Sequence, residues 1–349
     1  MERRQFLKGL GMTGTAVLIA GCGSNSGDEN EPTDDSDTED NPVDDSDTKD
    51  SPADDSDGET HTTSESSGTA YVDGKIKFLM SPSEPQDRLR DQYTPIRERL
   101  NSFVNTVDTV DLQYANNYAA TLTALDAGTG DIAETGPFAG ALGVFSGNAE
   151  VLLQRKGYGS WTYSSVIVTR PETDIGDLTD LEGKTVAFAD ALSASGSLYP
   201  LGMIQEAGLS VPDEPGSPAG ADFTPQWATH QQAYEALTSG TVDAAGVGYF
   251  IVADDEREGV VDEVEAVARD DGIPRAPIMV SPQLSDEEKM TIQEAFTEAS
   301  EDIYLGADGE DGTEDDLWFT DVRPADAGTY QPVVEKAESL GYGADVFES

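Results

Sequence analysis

From residue 75 onward, short apolar or alternating runs recur at regular intervals and predict strands over 75–80, 110–115, 131–135, 150–154 and 165–169. Between them lie stretches with apolar residues at helical spacing, over 87–100 and 118–125. The pattern restarts with a strand over 185–189 and a helix over about 196–207 that stops near Gly208. A helix over 230–238, ended by Gly240, and a strand over 242–247 complete it. Alternation of this kind predicts an α/β architecture with mainly parallel sheets. Two such series predict two lobes, with the ligand site in the cleft between them.

The first 70 residues follow neither period. Arg3-Arg4-Gln5-Phe6-Leu7-Lys8 precedes an apolar stretch over 9–21 that falls short of the ~20 residues of a spanning helix. Residues 1–22 therefore read as a signal peptide with the paired arginines of twin-arginine export. Ile19-Ala20-Gly21-Cys22 places the single cysteine of the chain at the end of that signal, where it resembles the lipobox of exported lipoproteins. Lipid on Cys22 would hold the protein to the outer face of the membrane. Residues 23–70 are Asp, Ser, Thr, Glu and Pro with almost no apolar side chain. They contain three decapeptide repeats, Pro32-Thr33-Asp34-Asp35-Ser36-Asp37 and its counterparts at Pro42 and Pro52. Such a segment cannot bury enough surface to fold and reads as a disordered, self-repelling tether.

Charge sharpens this picture. The chain of 349 residues carries 69 acids against 20 Lys and Arg, a net −49. Only part of it lies in the tether, where 17 acids face Lys49, and residues 71–349 keep −35. A nucleic-acid partner is excluded, since like charge meets the phosphate backbone. In dilute buffer the folded part would repel itself. At molar salt the Debye length falls to about 3 Å and dispersed carboxylates scarcely interact. Acidic excess with few lysines reads as adaptation to high salt in the haloarchaeal manner.

Three strand-to-helix junctions carry candidate chemistry. Met80-Ser81-Pro82-Ser83 follows the first strand, Thr135-Gly136-Pro137-Phe138 the third, and Asp190-Ala191-Leu192-Ser193-Ala194-Ser195-Gly196 opens the second series. Ligands of open α/β sheets bind at the carboxyl ends of strands. Free amides at a helix start, with hydroxyls beside them, make an anion site, while the same serines would also serve as helix caps.

Residues 190–200, Asp-Ala-Leu-Ser-Ala-Ser-Gly-Ser-Leu-Tyr-Pro, resemble the Asp-Pro-x-Ser-Thr-Ser-Gly-x-x-x-Pro segment of the phosphate/phosphonate-binding proteins of ABC transporters. Asn117-Tyr118-Ala119-Ala120, Gly136-Pro137-Phe138, Tyr163-Ser164-Ser165-Val166-Ile167-Val168, Asp180-Leu181-Glu182-Gly183-Lys184 and His230 before an Ala/Leu helix fall in the family's order, over roughly 75–335. The resemblance implies a two-lobed type II periplasmic-binding fold. Lobe I would comprise 71–168, lobe II 169–270, and 271–349 would return to complete lobe I with C-terminal helices. It implies a monomer that closes on an oxyanion and delivers it to a permease. Ligand contacts would come from Ser81, Tyr118, Thr135, Gly136, Ser193, Ala194, Ser195, Gly196 and His230. Tyr118 could equally be a core residue and His230 a cap. If His230 faces the cleft, its protonation would add a donor for a dianion.

Departures from the family pattern narrow the ligand. Ala194 replaces a threonine, removing one hydroxyl. Gly140 stands where an aromatic residue is common, which would enlarge the cleft. Gly246-Val247-Gly248-Tyr249 lacks the carboxylate with which aminophosphonate binders hold an ammonium group. Phosphate, phosphite or a simple alkylphosphonate is expected, with acids largely absent from the three junctions. A sensor of the same fold, or a binder of another oxyanion such as sulfate, is the alternative. Catalysis is not expected, because no Gly-x-Ser-x-Gly elbow is present. Two histidines do not build a typical metal cluster, and no cofactor is implied. The acidic run over 308–316 lacks the full calcium loop and reads as surface, with Trp318 and Phe319 beyond it as core.

Overall fold

The computed structural model describes residues 71, 74–81, 86–254 and 258–343. The export signal, Cys22 and the tether lie outside the described residues, as do Pro82 and Ser83 of the first junction.

The chain begins with β1 (Lys75–Met80), α1 (Gln86–Gln92), α2 (Thr94–Phe103), β2 (Thr109–Tyr114), α3 (Tyr118–Asp126), β3 (Ile132–Glu134), α4 (Pro137–Ser146) and β4 (Glu150–Gly157). Where the spacing predicts one helix over 87–100 there are two, because Tyr93 leaves helical geometry at φ −91° and ψ 0°. Pro95 then occupies the first turn of α2, where the hydrogen it lacks would have no intrahelical acceptor. The break turns the Tyr93 ring inward, edge-on to Phe78 with centroids 5.5 Å apart.

A first crossing leads into β5 (Thr162–Thr169), followed by β6 (Thr185–Phe188), α5 (Tyr199–Glu206), β7 (Thr224–Trp227), α6 (His230–Thr238), β8 (Ala244–Gly248), α7 (Tyr249–Val252) and β9 (Glu265–Pro274). A second crossing returns the chain to β10 (Pro277–Val280), α8 (Asp286–Thr297), β11 (Phe319–Pro324) and α9 (Gln331–Ser339). The first sheet has the order β11-β4-β10-β3-β1-β2 and the second β7-β6-β8-β5-β9.

Both sheets are mixed, which corrects the expectation of mainly parallel sheets. β1 runs parallel to β2 and β3, and β6 to β7 and β8, whereas β10 and β5 pair antiparallel on both sides. β10 and β5 are strands on which the chain enters a sheet from the other lobe, and β11, which stays within the first sheet, also pairs antiparallel with β4. β5, which a boundary at 168 assigns to lobe I, thus lies in the second sheet.

A continuous core joins the lobes. Phe138 and Leu142 of α4, Val333 and Ala337 of α9, and Phe188, Leu198 and Ile204 of lobe II belong to one buried cluster. Burying a side chain of this size contributes about 1.5–3 kcal/mol. The C-terminal helix is tied to lobe II by Lys336 Nζ, 2.9 Å from Glu206 Oε1, and just beyond it the Tyr342 hydroxyl donates to Pro212 O at 2.7 Å. No helix among the described residues is long and apolar enough to cross a membrane.

Candidate functional site

The Ser193 turn is the best-defined element of the site. Ser193 is the N-cap of a π-helical turn, Ala194–Leu198, that runs directly into α5. Its Oγ accepts the Gly196 N–H at 3.1 Å. His230, the first residue of α6, brings its Nε2 within 3.2 Å of the same oxygen. The other ring nitrogen, Nδ1, accepts the N–H of Gly248 at 3.1 Å. A backbone amide can only donate, so Nδ1 carries no hydrogen and the neutral ring holds its proton on Nε2. Nε2–H therefore donates to Ser193. With two donors already on Oγ, the Ser193 hydroxyl proton is left to point elsewhere, free to donate.

This geometry corrects the expected role of His230. Burial pushes its pKa down to about 4, and a proton on Nδ1 would face the Gly248 amide head to head. His230 orients Ser193 as a neutral ring instead of gaining a donor on protonation. Gly196 contributes by its size as well as its position, since its amide is engaged by Ser193. A Cβ there would stand 2.2 Å from Ala189 Cβ and 2.7 Å from His230 Cε1.

In lobe I, Asn117 caps α3 by accepting the Ala120 N–H at 2.8 Å, which sets Tyr118 at the helix start. The Tyr118 ring lies over the start of α4: a Cβ on Gly136 would be 3.4 Å from Tyr118 Cε1. Burial, reinforced by Asp190, Tyr163 and Glu134, raises the Tyr118 pKa, so the phenol keeps its proton as a donor. Tyr163 does the same work on the crossing strand: burial raises its pKa, opposed by the hydroxyl and amide of Ser195. Ser195 is itself buried and its carbonyl accepts the Ser165 hydroxyl at 2.7 Å. The N–H groups of Gly136 and Ala194 have no protein acceptor among the described residues. Helix starts leave such amides unpaired, and the positive dipole end of the helix lies beside them.

Ser81 and Thr135 are placed differently. The Ser81 N–H and hydroxyl both donate to Glu134 Oε1, at 3.0 and 3.3 Å. Thr135 is buried, with Oγ1 3.4 Å from Thr121 Oγ1. Asp190 is the one acid within the junctions, and a second, Glu134, lies just before Thr135, 1 % exposed and paired with Arg155, 2 % exposed. Tyr93 donates its hydroxyl to the same carboxylate. These residues were missed although a signal existed: two acids in 131–135, Asp131 and Glu134, and one arginine after the apolar residues of 150–154 all need partners if both strands are buried. Gly140 does not enlarge the cleft, because a Cβ there would meet Pro277 Cγ at 2.8 Å, in the packing of lobe I.

Over 308–316 the acids hold their own loop: Asp308 Oδ1 accepts the Glu310 N–H and Asp316 Oδ2 the Gly312 N–H. Among the described residues no group of three His, Cys, Asp or Glu side chains could hold a metal ion. Phe319 is core, and Trp318 lies between the Arg155 and Arg275 guanidiniums.

Residues 78–330 match the family of ABC transporter, phosphonate, periplasmic substrate-binding proteins. The chain belongs to this family. It is 31 % identical over 170 residues to the phosphate-import protein PhnD of Mycolicibacterium smegmatis, and the match covers 47 % of this chain and about half, 51 %, of that relative. Among solved structures it resembles the binding component of an ABC phosphonate transporter from Pseudomonas aeruginosa, with a TM-score of 0.60, 19 % identity and coverage of 76 % and 86 % of the two chains. A Prochlorococcus marinus protein solved with methylphosphonate gives a TM-score of 0.59 at 16 % identity, covering 77 % and 98 %. At these identities the structures establish the shared fold.

Proposed function

We propose that this protein is the solute receptor of an ABC importer and captures phosphate, phosphite or a simple alkylphosphonate between its lobes for delivery to a permease. The observation that carries the reading is the Ser193 hydroxyl, whose oxygen already accepts from Gly196 and His230 and which can therefore only donate outward. The unpaired amides at two helix starts and the two protonated phenols add neutral donors around it. Such donors hold an anion without a compensating cation nearby, and charge-assisted bonds of this type are the strong ones. Gly246-Val247-Gly248-Tyr249 carries no carboxylate to accept from a ligand amine, which disfavours ligands with an ammonium group. The family's role is transport, and no catalytic step is assigned. Export by the twin-arginine route and lipid on Cys22 would place the receptor on the outer membrane face.

Calorimetric titration in molar KCl tests the ligand. Phosphate, phosphite or methylphosphonate should bind, and aminoethylphosphonate and sulfate should not. Binding of sulfate alone would overturn the assignment. Ser193→Ala should weaken the preferred ligand by roughly 10- to 150-fold, the range for a hydrogen bond to a charged group; an unchanged affinity would remove Ser193 from the site. Salt tests the adaptation. The residual −35 on residues 71–349 should make the melting temperature climb as KCl rises from about 0.1 to 2 M, through screening of self-repulsion. A flat response would contradict it.

A further inference from the structure

The buried Glu134 and Arg155 pair sits directly behind the Thr135-Gly136 junction, and its bonds extend in three directions. Arg155 Nη1 pairs with Glu134 Oε2. Arg155 Nη2 donates to the carbonyl of Thr135 at 3.1 Å. Arg155 Nε donates to Ala276 O at 3.3 Å, and its backbone N–H donates to the same oxygen at 3.2 Å, so that it also holds the second crossing between lobes. On the other side, Glu134 Oε1 takes both donors of Ser81.

The carbonyl of Thr135 and the N–H of Gly136 belong to one peptide plane. No cis bond occurs among the described residues, so the two groups point in opposite directions. Arg155 draws the carbonyl toward the interior of lobe I. The N–H of Gly136 must then point the other way, out of that interior, at the helix start that the Tyr118 ring overlies. That amide has no protein acceptor among the described residues.

We infer that Arg155, neutralised by Glu134, is a positioning residue that aims the Gly136 amide at the bound oxyanion. The inference rests on the oxyanion reading of the cleft and names one of its donors, together with the group that orients it. An apolar pair of similar volume would fill the same space, and buried ion pairs of this kind often add little stability over such a replacement. The fork of the guanidinium is what an apolar pair lacks: it can hold a carboxylate and a carbonyl at once, a geometry lysine cannot reproduce.

The test combines Arg155→Lys with amide NMR in high salt, using phosphate and methylphosphonate as probes. In the wild type, saturating ligand should move the Gly136 amide proton downfield. In R155K, which keeps a positive charge beside Glu134 but cannot also reach the Thr135 carbonyl, affinity should fall at least tenfold and the Gly136 shift should vanish, with the apo protein still folded at a lowered melting temperature. Should R155K fail to fold, the wild-type spectrum decides alone: a Gly136 amide that does not respond while that of Ala194 does would overturn the inference. If R155K binds as tightly as the wild type, the pair is only a structural one. If neither probe perturbs any amide of the wild-type cleft, the oxyanion reading itself fails, and that result is distinct from the other two.

Discussion

Replacing Gly196 with alanine should abolish oxyanion binding and lower the unfolding free energy by about 1–3 kcal/mol, the usual range for overpacking a tight site. The added methyl would overlap Ala189 Cβ at 2.2 Å and His230 Cε1 at 2.7 Å. Neither neighbour can retreat without breaking a bond. The Gly196 carbonyl accepts the Ala189 N–H at 3.0 Å, which closes the turn onto the end of β6. His230 is held from behind by the Gly248 amide and flanked by Phe250, with ring centroids 5.3 Å apart. If the turn moves, the Gly196 amide leaves Ser193; if the imidazole moves, Ser193 loses its second donor. Calorimetric titration and a thermal melt on the same sample measure both effects. Adding Ala189→Gly removes the closer overlap and should restore stability in part, but not affinity, because the contact with His230 remains. A G196A protein that binds like the wild type would show that the turn tolerates displacement and that Ser193 is not aimed by it.

The features that could be read from the sequence are the local ones. The helix over 230–238 is observed as His230–Thr238, because Thr229 and Gln232 form a capping box at its start and Gly240 follows its end. β1 matches its apolar run to the residue. The serine turn was legible because Ser193 and the Gly196 amide it caps are three residues apart, whereas His230, its second donor, is 37 residues away. β9 was not: Glu265–Pro274 carries Glu265, Arg269, Asp270 and Asp271 and is largely exposed, as suits an edge strand protected by charge. The antiparallel strands were missed for a related reason, since pairing partners such as Val280 and Ile132 are far apart in the chain. Glu134 and Arg155 lie 21 residues apart and meet only through sheet order. Gly140 was misread because a residue in a helix has a face that only packing reveals: Pro277 and Met279 of the returning strand occupy it.

Acidification should destabilise the protein through His230, one of two histidines in the chain. Its folded pKa lies at about 4, below the ordinary value of 6.5, with burial as the cause. Above pH 6.5 the ring is neutral in both folded and unfolded chains, and its contribution is constant. Between 6.5 and about 4 the unfolded chain takes up a proton that the folded site refuses, so stability falls as pH falls. The loss accumulates to at most about 3 kcal/mol and stops below pH 4. Carboxylates titrate at the lower end of the same window, and those with raised pKa, Asp131 and Asp190, work in the opposite sense by gaining protons more readily in the folded state. The His230 part is therefore isolated as the difference between the wild type and variants, from denaturant unfolding in high salt at pH 7.5, 6, 5 and 4.5. His230→Asn can keep an acceptor for the Gly248 amide, and His230→Gln can keep a donor for Ser193. Both should remove the pH-dependent difference, because neither titrates. Only H230Q should retain most of the ligand affinity at neutral pH, since it preserves the donor that turns the Ser193 hydroxyl outward. Equal losses in the two variants would mean that the imidazole acts on the ligand by some other contact. A wild-type stability that tracks the variants across the whole range would mean that His230 titrates freely and is not locked by Gly248.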